Sequence, residues 1–92
     1  MVNAIVLINV ERGHVNDVAE MLVALEGITE VFSVAGRYDL VAILRTADND
    51  RIADLVTRHI MDIEYISHTE TLLAFRVFSN FDLERMFSIG LD

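Results

Sequence analysis

The sequence predicts an α+β domain in which four strands and two helices form a doubled β-α-β unit. Two observations carry that prediction. Short β-branched runs alternate with segments whose apolar residues recur three or four apart. The 92 residues contain no Pro, no low-complexity stretch and no linker, so residues 1–92 read as a single domain.

Each element follows from local pattern. Ala4 to Val10 is apolar and β-branched, a strand. Asp17 to Leu25 is a helix, with Val18, Leu22 and Leu25 on one stripe and Val15 extending it backwards. Asn16 or Asp17 can cap its start, and Glu20 stands three after Asp17 as in a capping box. Gly27 suits the end of that helix, where a left-handed residue is wanted. Glu30 to Ala35 is a short strand, Gly36-Arg37 a turn, and Leu40 to Arg45 the next strand, a hairpin. Asp48-Asn49-Asp50 supplies caps for a second helix carrying Ile52, Leu55, Val56, His59 and Ile60. Thr69 to Phe78 is a long closing strand. Phe81 to Ile89 is a short C-terminal helix with Leu83, Met86 and Phe87 on one side.

This order is the ferredoxin-like βαββαβ sandwich, with both main helices on one face of an antiparallel sheet. The other face of a monomer is then expected to be polar. Instead, the first strand, Leu40-Val41-Ala42-Ile43-Leu44 and Thr71-Leu72-Leu73-Ala74-Phe75 are apolar on both sides. Two helices cannot cover both. The second face is expected to pack on another subunit, as in dimeric α+β barrels.

Composition excludes several classes of function. Asp and Glu number 15 against seven basic residues, all Arg, for a net charge of −8. An acidic chain without Lys is poorly suited to neutralise phosphates, so no direct nucleic-acid partner is expected. Absence of Lys also removes Schiff-base chemistry and a Walker-type loop. Absence of Cys removes disulfides, thiol catalysis and thiolate zinc sites. Mean hydropathy is +0.42, yet no run reaches the roughly 18 apolar residues of a membrane span. A cytoplasmic protein with no membrane partner is expected.

Few residues suggest chemistry. His14, His59 and His68 share no metal-ligand spacing, and no metal or other cofactor is expected. His59 sits on the apolar stripe of the second helix, as a core or rim residue does. His68 stands beside the closing strand, within reach of the hairpin. No serine has a nucleophile-elbow setting, and no glycines form a dinucleotide or phosphate loop. The segment Gly36-Arg37-Tyr38-Asp39-Leu40 places a cation, a phenol and a carboxylate in one hairpin. Its structural explanation is turn chemistry: Gly36 for positive φ, Asp39 on turn amides and Tyr38 at the sheet end. Its functional explanation is a zwitterion site, with Asp39 and Arg37 offering opposite charges. Thr69 and Thr71, two apart, point to one face and can bind a carboxylate or simply favour a strand.

On these residues the chain resembles the ligand-binding domain of the leucine-responsive/asparagine-operon (Lrp/AsnC) regulators, also called the RAM (regulation of amino acid metabolism) domain. The resemblance rests on Arg12-Gly13 after the first strand and on Val31 to Ala35 leading into Gly36-x-Tyr38-Asp39-Leu40. It also rests on the helix after Thr46-Ala47-Asp48 and on the closing Thr69-x-Thr71 strand. It covers about residues 3–78 and departs from many relatives at Asp62 to Ile66, which lacks their common Pro-Gly. It implies a stand-alone RAM protein without the helix-turn-helix domain. Such a protein is not an enzyme, forms homodimers that build octamers or decamers, and binds an amino acid effector between dimers. Gly36, Tyr38 and Asp39 then belong to the effector-responsive hairpin, and Thr71 and Leu72 to the last strand, with Arg37, His68 and Thr69 as further candidates. Two other readings stand beside it. One is a small dimeric barrel enzyme, monooxygenase or isomerase in type, with His59 or His68 as base. The other is a ligand-free partner that co-assembles with full-length Lrp/AsnC regulators.

Overall fold

A computed structural model describes residues 1–80. Its elements are β1 (Val2–Val10), α1 (Val15–Val23), β2 (Ile28–Ser33), β3 (Leu40–Thr46), α2 (Asn49–Asp54) and β4 (Ile66–Leu73). A π-helical stretch, Leu55–Ile60, continues α2. The sheet order is β2-β3-β1-β4, with every pair antiparallel. The expected βαββαβ architecture is therefore present, and the proposed helix over 81–89 lies outside the described residues.

Alternation in the two central strands explains the layers. Ala4, Val6, Ile8 and Val10 of β1 are buried, as are Leu40, Ala42, Leu44 and Thr46 of β3. Register places the two sets side by side on one face. Val18 and Leu22 of α1, with Ile52, Leu55 and Ile60 of the second helical segment, close that face. The odd-numbered residues Ile5, Leu7, Val41 and Ile43 form the opposite face and are only half-buried. Two helices cover one side of this sheet; the open side carries these apolar residues at its centre, with Asn3, Asn9 and Arg45 beside them, and β4, expected to be apolar on both sides, turns His68 and Glu70 to it with Leu72.

Local boundaries differ from expectation for identifiable reasons. β2 runs from Ile28 because that residue packs into the core, and a register shift after it places Glu30 against Ile43. Gly27, at φ +100°, makes the preceding turn; a Cβ there would lie 3.1 Å from Leu55 Cδ2. β4 begins at Ile66 and ends at Leu73, short of the expected Phe78. Leu73 lies opposite Ala4, and Ala74 N–H still donates to the Asn3 carbonyl; beyond that β1 has only Val2 left.

Helix starts also split. Asp48 caps α2, its carboxylate accepting from Arg51 N–H at 2.9 Å. The cap position of α1 is His14, without a side-chain cap bond, so Asn16, Asp17 and Glu20 lie within the helix and build no capping box. His14 instead stacks flat on Tyr65, ring centroids 3.5 Å apart. Tyr65 has φ +77°. A left-handed L-residue of this kind is strained by about 1–3 kcal/mol. The His14 ring and a bond from Glu11 N–H to the Tyr65 carbonyl (2.8 Å) hold it.

Candidate functional site: the hairpin and the start of the last strand

The β2–β3 hairpin reaches over the end of β1. Gly36 takes φ +130°, and a Cβ added there would meet nothing, so backbone conformation alone calls for glycine. Val34 N–H donates to the Asp39 carbonyl and Asp39 N–H to the Ile8 carbonyl, both at 3.0 Å. The Asp39 carboxylate accepts from Val10 N–H at 2.8 Å. Val10 lies where β1 and β4 lose register, so Asp39 supplies an acceptor that the disrupted ladder does not.

That bond gives Asp39 a partner on β1. Asp39 does not pair with Arg37: among the described residues Arg37 makes no ion pair, and it is exposed. One oxygen of Asp39 is committed to holding the hairpin on β1. Asp39 therefore positions the turn.

Tyr38 makes the long-range link. Its hydroxyl donates to the Glu70 carboxylate on β4 at 2.5 Å. That bond, with some burial and the Glu70 charge, raises the phenol pKa above its ordinary value, and Arg37 works the other way. Glu70 was not among the sequence candidates. Its signal was available only through register: Glu70 lies opposite Leu7, and His68 opposite Asn9, so both share the open face. Leu72, opposite Ile5, lies on that face as well.

Thr69 and Thr71 do point one way, but to the other side. They lie opposite Ile8 and Val6 and share the helix face. The sequence candidates thus divide into two groups. Tyr38, His68 and Leu72 accompany the open face, whereas Thr69 and Thr71 stand at the β4 edge of the helix layer. A hollow of about 290 Å³ at that edge is lined by Met61, Ile66, Ser67, His68 and Thr69. His59, expected on the apolar stripe, is exposed and lies 3.8 Å from Asp54. No cluster of three metal-ligating side chains occurs among the described residues.

The doubled β-α-β topology agrees with the comparisons. The family model of the Lrp/AsnC ligand binding domain matches residues 3–82. This chain belongs to that family. The HTH-type transcriptional regulator FL11 of Pyrococcus furiosus is 31% identical over 74 residues, covering 80% of this chain and 48% of the regulator. The chain thus spans about half the length of that curated relative. The crystal structure of TTHA0845 from Thermus thermophilus is 41% identical, covers 87% of this chain and 100% of its own, and superposes with a TM-score of 0.82. The feast or famine regulatory protein Rv3291c of M. tuberculosis, solved with L-methionine, shares the fold at 23% identity and a TM-score of 0.72, covering 87% of this chain and 54% of its own. FL11 is a transcriptional regulator, and no described helix of this chain is long and apolar enough to cross a membrane.

Proposed function

We propose that this chain is an amino-acid effector-binding module that oligomerises and modulates the transcription of amino acid metabolism genes without itself binding DNA. It is not an enzyme on this reading. Homodimers form through the open sheet face and assemble further into octameric or decameric rings in the cytoplasm. Full-length Lrp/AsnC regulators are fitting partners for such rings.

The observation that carries the reading is the Tyr38–Glu70 bond, which joins the hairpin to the strand holding His68. It brings two separate parts of the family match to one end of the open face. L-Methionine in the Rv3291c structure supports an amino acid as the ligand class. Acidic charge and the absence of Lys support a role away from DNA. On this reading a second subunit completes the pocket, Arg37 and backbone amides of the hairpin meet the effector carboxylate, and Asp39 holds the turn that presents them.

Calorimetric titration of the twenty amino acids into the wild type and two variants tests this. One amino acid, or a small related set, is expected to bind the wild type. Asp39→Ala leaves Val10 N–H without its acceptor, costs about 1–3 kcal/mol of stability and weakens binding. Asp39→Asn keeps a carbonyl oxygen for Val10 and restores binding. Failure of all twenty to bind overturns the reading; loss of binding in Asp39→Asn overturns the positioning role.

A further inference from the structure

The first residues of β4 are not placed by the sheet ladder alone. Asn9 pairs with His68 but Val10 with Ile66, so Ser67 has no partner on β1 and the register breaks there. This same stretch, Ile66 to Thr69, lines the hollow at the β4 edge together with Met61. A contact outside the ladder must set where these side chains stand.

Two consecutive amides at the end of β1 supply it. Val10 N–H donates to the Asp39 carboxylate and Glu11 N–H to the Tyr65 carbonyl, both at 2.8 Å. The first bond holds the hairpin and the second holds the residue that precedes β4. Hairpin and strand start are thus tied to one joint.

The second tie depends on Tyr65 staying at φ +77°, a conformation that a residue with a Cβ rarely adopts. Relaxation of Tyr65 would turn its carbonyl away from Glu11. Strain of this kind persists only where the surroundings over-determine it, and it gathers at ligand clamps and switch regions. The over-determining neighbour is His14. Its N–H donates to the Glu11 carbonyl at 3.2 Å, closing a turn in which Gly13 has φ +88°. Its carbonyl accepts from Val18 N–H at 3.0 Å in the first turn of α1. With the backbone fixed on both sides, the His14 ring is a plate whose centroid lies 3.5 Å from that of Tyr65, 2° from parallel.

We propose that His14 is a positioning residue of the effector site, acting through Tyr65. Its ring keeps Tyr65 left-handed, the Tyr65 carbonyl then reaches Glu11, and the bulged start of β4 presents Ser67 and His68 at the hollow. The proposal rests on the proposed function for what binds there, though not for how the strand start is held. Glycine takes positive φ freely and would need no such support. The role of His14 therefore exists because residue 65 carries a side chain.

Amide hydrogen exchange of Glu11, followed by NMR on the ligand-free chain, tests this in His14→Ala, Tyr65→Gly and the double variant. In His14→Ala the Glu11 amide is expected to exchange roughly two- to tenfold faster than in the wild type, the worth of one aromatic stack, relative to amides in the middle of β1. In the Tyr65→Gly background His14→Ala is expected to change nothing, and both of those variants stay close to the wild type. A Glu11 amide unchanged in His14→Ala, or still fast in the double variant, overturns the positioning role.

Calorimetry with the twenty amino acids adds a readout that packing alone would not move. Any of them that binds the wild type is expected to bind His14→Ala more weakly by a similar factor, and the double variant as it binds the wild type. Undiminished binding by His14→Ala, with Glu11 exchange accelerated, overturns the link from His14 to the site and leaves the proposed function standing. Binding of none of the twenty overturns the proposed function and the effector role of His14 with it, while the exchange rates still show whether His14 holds the start of β4.

Discussion

Asp39 and Tyr38 are adjacent in the hairpin, yet they fasten it in different directions. Asp39 reaches Val10 on β1, and Tyr38 reaches Glu70 on β4. The Tyr38 bond has a pH signature. Its phenol pKa is raised in the folded chain above the ordinary value of about 10, chiefly by donation to Glu70. A raised folded pKa means the contribution to stability is complete below about pH 10 and is lost as pH rises through the folded value. Above it, phenolate faces carboxylate. Stability of the wild type is therefore expected to fall more steeply than that of Tyr38→Phe on going from about pH 9 to about pH 11, measured by urea unfolding. Parallel curves for the two proteins would remove the bond from the folded state in solution.

At the scale of elements, the two helix starts make a contrast that a pair of substitutions can measure. Asp48→Ala removes the bond to Arg51 N–H and is expected to cost about 1 kcal/mol. Asn16→Ala, inside α1 and exposed, is expected to change stability by less than about 0.5 kcal/mol. Equal losses in chemical denaturation would contradict this assignment of the caps. The contrast also marks what could be read in advance. Element order, the Asp48 cap and the doubly apolar strands all came from periodicity and short-range chemistry. The α1 start did not, because His14 is held by Tyr65, a residue far away in the chain. The end of β4 did not, because Phe75 to Phe78 keep a strand-like composition although the bonds to β1 end with Ala74 and Asn3. For the candidate site, Gly36, Tyr38 and Asp39 were legible as a motif. The positive φ of Gly36 was legible too, but the partners of Tyr38 and Asp39 were not, since Glu70 and Val10 enter only through cross-strand register. The same register separates Thr69 and Thr71 from Tyr38.

At the scale of the molecule, the balance between solubility and association is unusual. A net charge of −8 keeps the outer surface solvated, while an apolar sheet face and two exposed phenyl rings remain. Helices cover one side of the sheet and the other is open, the side to which the proposed function assigns a second copy. On the proposed function, a ligand bound between subunits acts on assembly: it favours whichever oligomer it binds better, by no more than its difference in affinity. On that proposal, effector binding and oligomer mass are two readings of one equilibrium.

The most direct test of that claim is a thermal-melting scan of the wild type against the twenty amino acids, with light-scattering mass recorded for each hit. A ligand present at about 100 times its Kd stabilises the native state by roughly 2.7 kcal/mol. That corresponds to a shift on the order of ten degrees in a domain of this size. The account predicts a selective shift for one amino acid or a small related set, accompanied by a change in mass. A flat scan from a chain of unchanging mass would contradict it.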